Sequence, residues 1–232
     1  MEKMQNTMMK HYKMFAAIEL LIVVIAFIVS LQASDANSTF FSATKEAREG
    51  SDSTLIAANV TRNVIQQWVP AFKFVGLGLM LGAITMALGL IAMALRDMGI
   101  GLMSGWPKEL NQGPPDKPRA AKMFPLLMIM GWMLLLAGLV VALASNGNVS
   151  AYWNNSIALV LNPAGPGSIE LLQLGFIQGI KPWLGALRFA GMGMIFTAIT
   201  VALTVIIRTL QAQKKILRGF IKARSFPRLG EG

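Results

Sequence analysis

Apolar residues fall along this chain in four long blocks, 14–34, 69–95, 123–145 and 184–207, and charged and small polar residues gather between them. Each block is long enough to cross a hydrocarbon core of about 30 Å as a helix rising about 1.5 Å per residue. A transmembrane β-strand needs about ten residues of alternating polarity, and no segment alternates in that way. A helix satisfies its own backbone hydrogen bonds where no water can do so. The pattern therefore predicts an all-α polytopic membrane protein with four transmembrane helices. The remaining segments are an N-terminal stretch 1–13, an outer loop 35–68, a loop 96–122, a second outer loop 146–183 and a tail 211–232.

The first block has the flanks of a cleaved signal, with Lys3, Lys10 and Lys13 before it and Leu31-Gln32-Ala33 at its end. Its apolar core, 14–31, exceeds the usual 7–15 residues or so of a signal peptide, so it reads as a retained span. In the outer loops, 54–67 is helix-like. The second loop breaks at Asn162-Pro-Ala-Gly-Pro-Gly, after which Ser168 has N-cap chemistry for a helix over 169–180. These two stretches are expected to be short helices lying on the outer surface as matched lids. The 96–122 loop holds Gly113-Pro-Pro-Asp-Lys-Pro, an irregular or polyproline-like signal. In the tail, 211–224 mixes Ile216, Leu217, Phe220 and Ile221 with Lys214, Lys215, Arg218 and Lys222, a pattern that extends the fourth helix and suits anionic lipid.

Charge then orients the chain. Only 14% of residues are charged, against roughly 25% in soluble domains, and they are unevenly placed. Fifteen of the 21 Lys and Arg residues lie before the first span, between the second and third, or after the fourth. By the positive-inside rule both termini and the 96–122 loop are cytoplasmic, in a plasma or inner membrane. The bias accounts for the net charge of +10 without a nucleic-acid partner. Four glycosylation sequons, beginning at Asn37, Asn59, Asn148 and Asn154, fall in the two outer loops.

The second and fourth spans repeat one another. At an offset of 115 residues, 12 of the 28 positions in 68–95 are identical, where roughly 3 follow from composition alone. Trp68 meets Trp183, Phe74 meets Phe189, Gly76 meets Gly191 and Gly78 meets Gly193, with Lys73 against Arg188. The first and third spans correspond more loosely, through Met14-Phe15 with Met123-Phe124 and Ala33-Ser34 with Ala144-Ser145. The chain reads as a parallel duplication of a two-helix unit, 14–95 and 123–210, about an axis along the membrane normal. Trp68 and Trp183 stand at the height of an aromatic belt, and Lys73 and Arg188 can snorkel to headgroups. Gly76, Gly78, Gly191 and Gly193 open the helix backbone to close approach. These eight residues are the candidate lipid or partner contacts.

Glu19 is the one acidic residue well inside a span and the candidate intramembrane charge site. With no cysteine and a single histidine, His11, the chain offers no nucleophile–base set, no haem ligation and no cysteine zinc site. No cofactor is expected. The topology resembles that of tetraspanins and claudins, but the outer-loop cysteines of those families are missing, and the motifs identify no family. The expected role is a non-catalytic accessory subunit of a larger integral membrane complex, bound by membrane lipids and other membrane subunits. A bioenergetic or monooxygenase-type assembly whose metals lie in other chains is one such host. The alternative is a small transporter or channel with a pathway between the two repeats.

Overall fold

The protein is described by a computed structural model for residues 7, 10–104, 119–161 and 165–224. Among the described residues every regular element is helical. In chain order these are α1 (Tyr12–Ser42), α2 (Lys45–Glu49), α3 (Ser53–Ser104), a 3-10 turn (Arg119–Lys122), α4 (Met123–Ala144), α5 (Asn146–Trp153), α6 (Ile157–Leu161) and α7 (Ile169–Arg224). Four helices are long and apolar enough to cross a membrane: Tyr12–Ser42, Ser53–Gly101, Ala120–Trp153 and Ile169–Gly219. The motif at 113–118 lies outside the described residues, as does the start of the 162–167 turn.

Local chemistry sets the helix starts. The Asp52 carboxylate accepts the Thr54 N–H at 2.8 Å ahead of α3, and the Ser168 hydroxyl accepts the Leu171 N–H at 3.4 Å ahead of α7. Gly165 and Gly167, with φ of 141° and 84°, turn the chain into α7 through backbone that side chains resist. From there the structure departs from the expected lids. The stretches 54–67 and 169–180 run without a break into their spans, making helices of 52 and 56 residues. Pro70 and Pro182 lie inside these helices, and each removes a single ladder hydrogen bond. Neither ends its helix. At the other end, α7 carries the basic tail as continuous helix to Arg224.

The long helices are unequal in the bundle. α3 is the central one: α1 lies along it, and α4 and α7 pack on it and on each other. Of the most apolar window of α3, 44% is buried, against 11% for α1. The core between α3, α4 and α7 is Val75, Leu81, Leu135, Met192 and Ile195 in one cluster, continued by Met86, Phe124, Met128, Ala198 and Ala202 in the next. α1 has no extended contact with α7. Three helices make the core, and α1 lies along α3 and reaches α4 through Phe15, which stacks on Trp132.

Candidate functional site

The repeated glycines show what each packing face meets. A Cβ on Gly76 would stand 2.7 Å from Ile22 Cγ2 of α1. A Cβ on Gly191 would stand 2.9 Å from the Gly131 carbonyl oxygen of α4. When Met14-Phe15 is laid on Met123-Phe124, Ile22 falls on Gly131, so the two glycines touch residues that this alignment pairs. Phe74 and Phe189, partners at the 115-residue offset, meet edge to face with centroids 6.2 Å apart.

Beyond that level the faces diverge. Gly78 is covered by Leu135 and Trp132, and the Trp132 indole Nε1–H donates to the Gly78 carbonyl oxygen at 2.9 Å. Gly193 has no atom within 4 Å of a built Cβ. Trp68 is half-buried, packed with Ala71, Ala142 and Leu184, whereas Trp183 is 71% exposed. Thr85 is fully buried and Thr200 is exposed, though each hydroxyl donates back to its own helix, to Leu81 at 2.8 Å and to Phe196 at 3.0 Å. One set of counterparts is enclosed within the bundle. The other faces outward.

Lys73 lines a groove of about 330 Å³ with Ile22, Val23, Ala26, Phe27 and Ser30 of α1. Its ammonium is exposed and makes no ion pair with any described residue. The Ser30 hydroxyl is turned back to the Ala26 carbonyl at 2.6 Å, so Lys73 is the one charge on an otherwise apolar wall. Lys73 heads a stripe of exposed residues on α3, Leu77, Met80, Ile84 and Ile91, set between the α1-facing Gly76 and the α7-facing Phe74. Arg188 is not in this groove. It is half-buried on α7, and its Nε is enclosed without an acceptor.

Glu19 is half-buried on α1, and neither Arg96 nor Arg208 pairs with it among the described residues. Its loose counterpart, Met128, is 1% exposed in the core against Met86. The site residues are thus not gathered in one place: Lys73 and Gly76 adjoin α1, Gly78 and Gly191 adjoin α4, and Trp183, Gly193 and Glu19 stand apart.

Several polar side chains emerge only in the folded chain. The buried Gln67 amide donates to the buried Ser145 hydroxyl at 3.0 Å, joining α3 to the junction of α4 and α5. At the opposite end of the spans the Gln213 amide donates to the Leu95 carbonyl. Trp132 spans the α3–α4 interface and stacks on Phe15 with centroids 4.7 Å apart. A tryptophan inside an apolar block is the only sequence signal for it. The chain matches no known protein family, no curated protein and no solved structure.

Proposed function

We propose that this chain is a non-catalytic accessory subunit of a larger integral membrane complex, built by parallel duplication of a two-helix unit. Both termini lie on the cytoplasmic side in this reading. The observation that carries it is the outward face of α7. Trp183, Phe189 and Phe196 are each more than half exposed around the open Gly193, whereas the matching face of α3 is filled by Trp132 and Leu135 of α4. A face that takes a helix in one half and stands free in the other fits a helix from another subunit. The duplication itself is supported by the Phe74–Phe189 contact, since a residue touching its own counterpart is what a local two-fold axis produces.

The transporter reading has less behind it. The space between the two halves holds Val75, Leu135, Met192 and Ile195, packed side chain to side chain. Its direct test is flux in proteoliposomes with Glu19→Gln or Lys73→Met, where a loss would favour a pathway. The accessory reading is tested by placing a photo-crosslinking residue at Phe196 in cells of the source organism. Adducts to other membrane polypeptides, with co-migration in mild detergent, are expected. A stable lone monomer with adducts only to lipid would count against it.

A further inference from the structure

Two arginines share one aromatic platform at the end of the bundle where α1 gives way to α3. Phe40 and Phe41 meet edge to face with centroids 5.2 Å apart. The Arg62 guanidinium lies 4.6 Å from both centroids, and that of Arg48, from α2, lies 5.8 Å from both. Cation–π attraction explains why each rests there, but it supplies no counter-charge. Arg62 is also oriented: its Nε–H donates at 3.0 Å to the Oδ1 of Asn59, a side chain 1% exposed that accepts again from Asn63 Nδ2 at 3.0 Å. Arg48 Nε is buried with no acceptor among the described residues.

The neighbouring acids are turned elsewhere. Glu49 pairs with Lys45 at 3.7 Å, Asp52 holds the Thr54 N–H at 2.8 Å, and Glu46 is exposed in the first turn of α2. Neither arginine has an ion pair among the described residues. Arg62 precedes the apolar block 69–95 by seven residues, about 10 Å along the helix, which is the height of the headgroup–water boundary.

We propose that Arg48 and Arg62 form an oxyanion site that takes a phosphate group, either from a phospholipid headgroup or free in solution. Guanidinium planes offer paired donors to phosphate oxygens, and the ring platform fixes both planes in advance, which lowers the ordering cost of binding. The site is independent of the accessory role and of the α7 face.

The test uses the full chain purified in an uncharged detergent. In one arm, thermal unfolding is followed by tryptophan fluorescence against inorganic phosphate, with chloride at equal ionic strength as control. In the other, the chain is extracted from vesicles of phosphatidylglycerol mixed with an uncharged galactolipid, and retained phospholipid is counted by native mass spectrometry. A response in the first arm assigns a free anion, and in the second a headgroup. In either, Arg48→Gln should weaken binding roughly tenfold, the worth of one charge-assisted hydrogen bond, with Lys45→Gln unchanged. Arg48 Nε makes no hydrogen bond to any described residue, so the Arg48 variant decides the matter even if Arg62→Gln fails to fold. Equal affinity in wild type and Arg48→Gln, or no binding by wild type in either arm, would overturn the proposal.

Discussion

At the scale of single residues, a glycine in a membrane helix matters according to what stands opposite it. A Cβ on Gly131 would meet the Gly191 carbonyl oxygen at 2.7 Å and Ile195 Cγ1 at 2.6 Å. The carbonyl is backbone and cannot rotate aside, so α4 and α7 must separate. Gly131→Ala should cost about 1–3 kcal/mol, read as a lower unfolding temperature in detergent. Gly193→Ala, with open space around it, should shift stability by no more than about 0.5 kcal/mol. Both Gly191 and Gly193 are equally marked by the repeat, and only one is enclosed. Repetition in the chain identifies a face that is able to pack; which helix arrives at it depends on the placement of four spans, and no local pattern encodes that. Trp132 carries no such mark for a related reason: laying Met14-Phe15 on Met123-Phe124 sets Val23 against it, so no identity singles it out.

At the scale of elements, the apolar blocks were legible as helices because length and hydropathy alone specify a span. Their outer ends were not. The stretch 54–67 mixes polar and apolar residues and 69–95 is apolar, and that change of polarity reads as a boundary between lid and span. Backbone hydrogen bonding takes no account of polarity, and with Pro70 the only proline from Ser53 to Ser104, one helix carries through both. The emergent part of α3 is then tied down by Gln67 to Ser145. Gln67→Leu should cost about 1 kcal/mol, since the Ser145 hydroxyl keeps its own bond to the Ala142 carbonyl at 2.7 Å. Faster amide hydrogen exchange across 59–67, with 80–90 unaffected, would localise the loss to that joint.

At the scale of the whole molecule, the absence of cysteine makes the topology directly measurable. Single cysteines at Ser51 and Lys214 should react with an impermeant maleimide from opposite sides of a sealed vesicle, Lys214→Cys from the side that carries the basic tail. Labelling of both from one side would refute the four-span arrangement. The candidate site is less legible at this scale. Lys73 and its groove arise where α1 lies beside α3, while Arg188, its equal in the sequence, is enclosed on another helix.

The outlying position of α1 has a consequence for how the protein is put together. Its membrane window is only 11% buried, it lies along α3 and touches α4 at the Phe15–Trp132 stack, and a link of ten residues, 43–52, joins it to α3. A strut held on one side is separable from the frame it leans on. Genes expressing 1–50 and 51–232 as independent polypeptides should yield pieces that find each other in the bilayer and elute together, and the larger piece should insert and resist protease when made by itself. If so, the same strut is exchangeable between two copies of the protein lying side by side.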